Sequence, residues 1–122
     1  MSRVQSILFV EDEINLRNMV CEALETDGYL VHCVETAVEA IMELKSPVVF
    51  DALITDFDFP DGMTGLNLAS AARAAYPDMV IIVVSGHPRE SVGALPPGAV
   101  YLQKPYRISQ LVAALGDQRH AA

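Results

Sequence analysis

The sequence predicts a doubly wound α/β domain, in which helices cover both faces of a parallel sheet. Apolar runs of strand length alternate along the chain with segments whose apolar residues recur at helical spacing. The chain of 122 residues lies in the common size range of one domain, and a hydrophobic content of 52% suffices for one core. No repeat, linker or low-complexity tract divides it. We therefore expect a single domain over residues 1–122.

The first half of the chain predicts two strands, each followed by a helix. Residues 6–10 form a continuous apolar run, which is typical of a strand buried on both faces. Helical spacing follows over residues 14–26, and Gly28 stands at the expected C-terminal cap. Residues 29–33 predict the second strand, and the second helix ends at Ser46-Pro47.

The second half repeats the alternation with one weak link. Residues 52–55 predict a third strand, and the third helix stops at Tyr76-Pro77. The β-branched run 79–84 predicts a deeply buried fourth strand, residues 99–102 a fifth, and residues 108–116 a closing helix. Residues 89–98 contain two glycines and two prolines, so a fourth helix there is expected to be short or irregular, among about five helices in all.

Charge and composition argue against several classes of function and location. Eight basic against sixteen acidic residues give a net charge of −8, which disfavours direct binding to nucleic acid and to anionic membranes. No apolar run has the length of a membrane span, and the N-terminal residues do not form a signal peptide, so we expect a cytoplasmic protein. Cys21 and Cys33 lack metal-ligand spacing and are predicted to be buried thiols.

Acidic residues directly follow two of the predicted strands. Asp56 ends the third strand, and Glu11 and Asp12 follow the first. In the flavodoxin-like order 2-1-3-4-5, built from right-handed crossovers, these two strands are neighbours, so the three carboxylates would meet in one crevice. Converging carboxylates repel one another without a cation, and an all-oxygen site suits Mg²⁺ or Mn²⁺.

Two more polar residues are expected at the same edge of the sheet. Ser85 follows the fourth strand and Lys104 the fifth. Taken alone, Lys104 is more often a surface lysine, and Ser85 is as well explained as a turn residue. Beside the acids, they complete the parts of phosphoryl transfer: a carboxylate nucleophile at Asp56, a metal, an ammonium group and a hydroxyl donor.

The sequence closely resembles the receiver domain of two-component response regulators, the CheY-like domains, over nearly its whole length. The matching pieces are Val10-Glu11-Asp12-Glu13, Asp56 with Pro60 four residues later, Gly65-Leu66, Val84-Ser85-Gly86 and Lys104-Pro105-Tyr106. The resemblance implies that Asp56 accepts a phosphoryl group from a sensor histidine kinase or a histidine phosphotransfer protein. It also implies Mg²⁺ bound directly by Asp12, Asp56 and the backbone carbonyl of Asp58, with Glu11 supporting the ion through water.

The resemblance also implies which residues would change conformation on phosphorylation, the conformational switch of the family. Ser85 would be the switch hydroxyl, Lys104 the phosphate partner before a cis peptide bond to Pro105, and Tyr101 the switch aromatic. For Tyr101 a purely structural place in the core is an equally good interpretation.

Two features depart from the family pattern. The loop at residues 61–64 is one residue longer than usual. Asp58 and His87 occupy the variable positions that flank the acyl phosphate, where they would tune its lifetime, although a plain loop histidine is an equal alternative for His87.

Three hypotheses about function remain open at this point. The first is a phosphoacceptor that signals to a downstream protein partner, without enzymatic turnover beyond self-phosphorylation from small donors and autodephosphorylation. The second is a phosphatase of the haloacid dehalogenase type, because Asp56-Phe57-Asp58 resembles its Asp-x-Asp pair. The third is a receiver-like interaction module that works without phosphorylation.

Overall fold

The centre of the molecule is a sheet of five parallel strands. The computed structural model describes residues 4–59 and 64–120. The strands are β1 (Ser6–Val10), β2 (Leu30–Val34), β3 (Ala52–Asp56), β4 (Val80–Ser85) and β5 (Val100–Gln103). They pair in the order β2-β1-β3-β4-β5, all parallel. The predicted class and strand order are confirmed.

Three strands begin one residue later than predicted. The backbone N–H of the first predicted residue of each is bonded to the preceding turn: Tyr29 to the carbonyl of Leu24, Met79 to Tyr76, and Ala99 to Pro96. A donor used by a turn is not available to the ladder, so the sheet starts at the next residue.

The helices of the described part of the chain are α1 (Ile14–Thr26), α2 (Ala37–Lys45), α3 (Gly65–Ala75) and α4 (Ile108–His120). Within the described ranges, none of them is long and apolar enough to cross a membrane. The prediction that the closing helix ends near Gly116 is wrong, because α4 continues to His120. One glycine costs a helix only about 1 kcal/mol, too little to end it by itself.

The connection between β4 and β5 contains one turn of 3₁₀ helix, Arg89–Ser91. This agrees with the prediction that a fourth helix in this segment would be short or irregular. Gly93 and Gly98 have φ angles of 88° and 77°, a region that other residues rarely adopt. The connection is nevertheless fixed to the domain, since Val92 is buried and the Arg73 guanidinium donates to the carbonyl of Pro97 at 2.8 Å.

The core has two layers because successive strand residues face opposite sides of the sheet. Leu8 of β1 and Leu53 of β3 face the layer under α2 and α3. Phe9 and Ile54, the next residues, face the layer under α1 and α4. Burial on both faces explains why these strands read as unbroken apolar runs.

Cys21 of α1 and Cys33 of β2 are joined in a disulfide, with their Cα atoms 6.8 Å apart. The prediction of two free buried thiols is therefore wrong. The two residues belong to the same core layer, where α1 packs on the sheet. A spacing of twelve residues along the chain does not show that the sulfurs face each other across a helix and a strand.

Candidate functional site

The carboxyl ends of four strands gather the residues that the sequence singled out. Glu11 follows β1 directly, Asp56 ends β3, Ser85 ends β4, and Lys104 follows β5. Three of them are polar yet buried, with exposed fractions of 1% for Glu11, 7% for Asp56 and 0% for Ser85. Buried polar side chains gathered at one sheet edge mark this crevice as the candidate site.

Lys104 is the cation of the crevice. Its Nζ lies 3.1 Å from Oε1 of Glu11 and 3.1 Å from Oδ2 of Asp56. Its backbone N–H donates to the carbonyl of Ser85 at 2.7 Å, and the Lys104–Pro105 peptide bond is cis. One ammonium group therefore bridges two buried carboxylates at the carboxyl ends of neighbouring strands.

Backbone donors hold the remaining carboxylate oxygens. Oδ1 of Asp56 accepts the N–H of Phe57 at 2.9 Å, and Oε2 of Glu11 accepts the N–H of Glu13 at 3.1 Å. Arg17, which the sequence reasoning missed, donates to the carbonyl of Glu11 at 2.9 Å and so fixes the loop after β1. The only signal for Arg17 was a basic residue in the helix that follows the acidic loop.

The three acids of the site can share a divalent ion. Glu11, Asp12 and Asp56 each offer a carboxylate oxygen, and these oxygens lie within 4.8 Å of one another. Asp12 is the most solvent-exposed of the three residues, so an ion can reach the cluster from solvent. Carboxylate oxygens are the ligands that Mg²⁺ prefers, and the residues present therefore fit this ion.

Burial dominates the electrostatics of the crevice. It raises the pKa of Asp56, although the neighbouring Lys104 and the N–H of Phe57 partly oppose this. Burial, reinforced by the charge of Asp56, likewise raises the pKa of Glu11. Burial alone would lower the pKa of Lys104, but the negative charges of Asp56 and Glu11 outweigh this effect and raise the pKa.

The raised carboxyl pKa values predict a protein that is more stable at mildly acidic pH. The ordinary values are 4.5 for Glu11 and 3.8 for Asp56, and the folded state binds these protons more tightly than the unfolded state. Stability is therefore greatest below about pH 4 for these two groups and falls as the pH rises through their folded pKa values. The stability that the raised pKa of Lys104 contributes is lost only as the pH rises above 10.5, its ordinary pKa.

Urea unfolding without divalent ions tests this expectation. The midpoint should be higher at about pH 5 than at about pH 8, and Mg²⁺ should reduce the difference because it neutralises the same carboxylates. The Asp56→Asn variant should show a weaker pH dependence. A midpoint that rises steadily from pH 5 to pH 8 would contradict the prediction.

A second group of residues connects the loops after β3 and β4 with β5. Oγ of Ser85 accepts the N–H of His87 at 3.0 Å, and the hydroxyl of Tyr101 donates to the carbonyl of the same His87. Nε2 of His87 lies 3.1 Å from Oδ2 of Asp58. The side chains of Asp58 and His87 are mostly exposed, at 61% and 56%. They form the rim of the crevice, whereas Ser85 belongs to its floor.

The start of α3 packs directly against the end of β3. Gly65, its first residue, donates its N–H to the carbonyl of Phe57 at 2.7 Å, and Thr64 forms a β-bridge with Asp58. Pro60 and most of the loop predicted to be longer than usual, residues 60–63, lie outside the described residues. Thr64 caps α3 by accepting the N–H of Asn67.

Sequence reasoning also missed the side chain of Tyr106. It was quoted only as part of the Lys104-Pro105-Tyr106 motif, yet its hydroxyl is buried and has no hydrogen-bond partner in the described part of the protein. A tyrosine two residues after a site lysine is a weak signal, because the same ring would serve equally well as a core aromatic.

Known proteins are similar to this chain in sequence and in fold. The sequence model of the family described as "Response regulator receiver domain" matches residues 7–116. The chain is 36% identical over 111 residues to the swarming motility regulation protein RssB of Serratia marcescens, covering 88% of this chain and 50% of RssB. It is 35% identical over 122 residues to the KDP operon transcriptional regulatory protein KdpE of Escherichia coli, covering 96% of this chain and 53% of KdpE. The chain thus spans about half the length of these two relatives.

Solved structures of response regulator proteins also have the fold of this chain. A response regulator receiver protein from Sinorhizobium medicae superposes with a TM-score of 0.87 at 32% identity, covering 97% of this chain and 96% of that one. The response regulator TrrA from Thermotoga maritima, solved in complex with Mg²⁺-BeF, superposes with a TM-score of 0.82 at 27% identity, covering 93% and 98% of the two chains. With its five-stranded fold and a family match over most of its length, the chain belongs to the response regulator receiver domain family.

Proposed function

We propose that this chain is one receiver domain over residues 1–122 and that Asp56 accepts a phosphoryl group from a sensor histidine kinase or a histidine phosphotransfer protein. One observation carries the proposal: Asp56 is a buried carboxylate whose only cationic partner in the described residues is Lys104, at 3.1 Å. Glu11 and Asp12 stand beside it. A buried acid paired with one lysine, next to a cluster that fits a divalent ion, is arranged as a phosphoryl acceptor.

In the proposed step, an Asp56 carboxylate oxygen attacks the phosphorus of the donor. An O–P bond forms, and the bond from phosphorus to the histidine nitrogen of the donor breaks, with its electron pair remaining on that nitrogen. Lys104 neutralises charge on the transferred oxygens. Ser85 uses its oxygen to accept the N–H of His87, which leaves its hydroxyl hydrogen free to donate to a phosphoryl oxygen.

Asp12 and Asp56, the backbone carbonyl of Asp58 and, through water, Glu11 would hold Mg²⁺, or Mn²⁺ in its place. The bound ion supplies positive charge that offsets repulsion among the carboxylates and the incoming phosphate. The protein's own part is to fix these oxygens at a buried strand end. In the described structure, the N–H of Phe57 holds Oδ1 of Asp56, the N–H of Glu13 holds Oε2 of Glu11, and Arg17 binds the backbone carbonyl of Glu11.

The route from the acceptor to a downstream protein partner would pass through His87. Its N–H contacts Ser85 and its carbonyl receives the hydroxyl of Tyr101. A Ser85 drawn towards a phosphoryl group would pull on the same residue that anchors Tyr101. The proposed signal is therefore a coupled movement of Ser85, Tyr101 and the connection between β4 and β5.

Asp58 and His87 would set the lifetime of the acyl phosphate, because their exposed side chains contact each other at 3.1 Å, two residues beyond Asp56 and Ser85. Decay of the phosphorylated protein after removal of the donor measures this lifetime. The variants Asp58→Asn and His87→Gln, which disturb that contact, should decay at rates different from the wild type. Identical rates in all three proteins would reject the tuning role.

The test of the proposed function is incubation with acetyl phosphate and Mg²⁺. The intact mass should increase by one phosphoryl group, and the increase should require the metal and be absent from Asp56→Asn. The adduct should be labile to base, as an acyl phosphate is. If the wild type gains no mass, or if Asp56→Asn gains the same mass, the proposal fails.

Two further measurements, turnover of a generic phosphoester and affinity for a protein partner, separate the other two hypotheses. A phosphatase would release phosphate from a generic phosphoester continuously, whereas an acceptor consumes about one phosphoryl group per chain and then turns over only as fast as it dephosphorylates. An interaction module independent of phosphorylation would bind its partner with unchanged affinity after Asp56 is modified.

A further inference from the structure

The disulfide between Cys21 and Cys33 lies next to the contacts that hold the loop after β1. Cys33 is followed by Val34, whose carbonyl accepts the backbone N–H of Glu11 at 3.1 Å. Cys21 stands about one helical turn after Arg17, whose guanidinium donates to the carbonyl of Glu11 at 2.9 Å. The S–S bond therefore joins β2 and α1, the two elements that hold the backbone of Glu11.

These contacts form a closed ring. It runs from Cys33 to Val34 along β2, across hydrogen bonds to Glu11 and Arg17, and back along α1 to Cys21. The disulfide is the one covalent cross-link in this ring, so it fixes α1 and β2 relative to each other. Because the carboxylate of Glu11 belongs to the acid cluster that fits a divalent ion, the ring also fixes part of that ion site.

The disulfide is accessible from the edge of the sheet. In the described residues β2 is an edge strand that pairs with β1 alone, and Cys33 is partly exposed whereas Cys21 is buried. Exposed disulfides are the ones that other thiols reduce readily. Where thiol reductants are abundant, a disulfide is usually transient and redox-sensing rather than structural.

We propose that Cys21–Cys33 is a reversible redox modification site: a dithiol reduces the disulfide, the oxidised form of that dithiol restores it, and the oxidised protein binds the divalent ion more tightly. The effect on the ion concerns the same site as the proposed function and rests on it. The redox exchange itself does not depend on the proposed function.

The reduction proceeds by thiol–disulfide exchange at the more exposed sulfur. A thiolate of the dithiol attacks Sγ of Cys33, a mixed disulfide forms, and the bond to Cys21 breaks with its electron pair remaining on Sγ of Cys21. The second thiolate of the dithiol then attacks the first sulfur of the dithiol and releases Cys33. The two protein sulfurs take up the two protons that the dithiol loses, so the protein gains two electrons and the dithiol becomes a disulfide.

The reduced protein should stay folded, because α1 is also held on the sheet by the buried side chains of Val20 and Leu24. What it loses is the fixed spacing between α1 and β2. Glu11 is then held by two hydrogen bonds whose partners are free to move apart. A site that is less fixed before binding pays more to order its ligands, so the ion should bind more weakly.

The first experiment follows the redox state of the native protein. The wild type is equilibrated with mixtures of reduced and oxidised dithiothreitol, its thiols are alkylated, and its intact mass is measured. We expect a reversible change between no alkylated cysteine and two, with the circular dichroism of a folded protein throughout. A disulfide that is reduced only after the protein is unfolded in urea, or thiols that do not form one, would overturn the inference.

The second experiment measures the affinity for Mg²⁺ by calorimetry. The reduced wild type should bind about fivefold more weakly than the oxidised wild type. Because coupling is reciprocal, saturating Mg²⁺ should raise the ratio of reduced to oxidised dithiothreitol at half-reduction by the same factor. A purely structural disulfide would change the urea midpoint on reduction but neither of these two quantities, and that result would reject the coupling.

The matched control is the double variant Cys21→Ala/Cys33→Ala. Its affinity for Mg²⁺ should equal that of the reduced wild type and should not respond to dithiothreitol. A response of the double variant would show that the reagent acts elsewhere and would overturn the coupling. The comparison of oxidised with reduced wild type needs no substitution, so it tests the inference even if the double variant fails to fold.

Failure of the inference is distinguishable from failure of the proposed function. If the wild type takes up phosphate from acetyl phosphate at Asp56 but binds Mg²⁺ equally well in both redox states, only the coupling is rejected. If it shows reversible exchange and redox-dependent Mg²⁺ affinity but takes up no phosphate, the proposed function is rejected and the redox site stands.

Discussion

Replacing Gly65 by alanine is expected to destabilise the protein by about 3 kcal/mol or more and to distort the candidate site. A Cβ atom at Gly65 would stand 2.1 Å from the backbone oxygen of Asp56 and 2.8 Å from Cα of Phe57. Both neighbours are backbone atoms of β3 and the loop that follows it, so neither can turn aside as a side chain would. Either α3 or the end of β3 must shift, and the hydrogen bond from Gly65 to the carbonyl of Phe57 is lost with the shift.

Chemical denaturation measures the loss, and uptake of phosphate from acetyl phosphate measures the distortion. Gly86→Ala is the matched control, since it makes the same change beside the same crevice, where a Cβ would meet nothing within 4 Å. We expect the stability of the control to remain within about 1 kcal/mol of the wild type. Equal stabilities for the two variants would show that α3 does not approach β3 as closely as described.

Replacing Lys104 by methionine is expected to lower both stability and phosphate uptake. Methionine keeps most of the aliphatic stem but leaves Glu11 and Asp56 buried without their shared cation. Removing one partner of a buried ion pair costs about 3–5 kcal/mol, and we expect about 2–3 kcal/mol because the Lys104 side chain is 26% exposed. Under the proposed function, uptake of phosphate from acetyl phosphate should fall on the order of a hundredfold, since the positive group proposed to neutralise the transferred oxygens is lost.

The loss of stability should depend on pH. Without Lys104, the carboxyl pKa values of Glu11 and Asp56 rise further, so the variant should recover stability at about pH 5 and be weakest at about pH 8. Lys45→Met is the control, because Lys45 is the other lysine of the chain and is exposed at the end of α2. A Lys104→Met protein no less stable than Lys45→Met at about pH 8 would contradict the ion-pair geometry.

The fold was largely predictable because its elements are local. Apolar runs of strand length stand between helical segments, and a sheet buried on both faces has few alternatives to parallel pairing. Only the boundaries moved: three strands start one residue late because turns use the first N–H, and α4 extends past Gly116. Both corrections concern which hydrogen bond a backbone group makes, and residue type alone does not determine that.

The residues of the site were predictable for a related reason. Polar residues that directly follow buried strands must lie at one edge of a parallel sheet, so Glu11, Asp56, Ser85 and Lys104 could be grouped before their distances were known. Their chemistry, in contrast, depends on burial and on angstrom-scale approach. The bridging position of Lys104 and the direction of each pKa shift follow only from the folded chain.

The sequence by itself therefore determined the class of fold and the set of polar residues at the sheet edge, since these depend on periodicity and on order along the chain. The strand order was expected only by analogy with flavodoxin-like folds. The tertiary structure decided the contacts between distant segments: the Cys21–Cys33 disulfide, the Asp58–His87 contact and the close approach of Gly65 to the end of β3. Each of these joins residues from different parts of the chain, and their separation in space is set by packing, which the pattern of residue types does not encode.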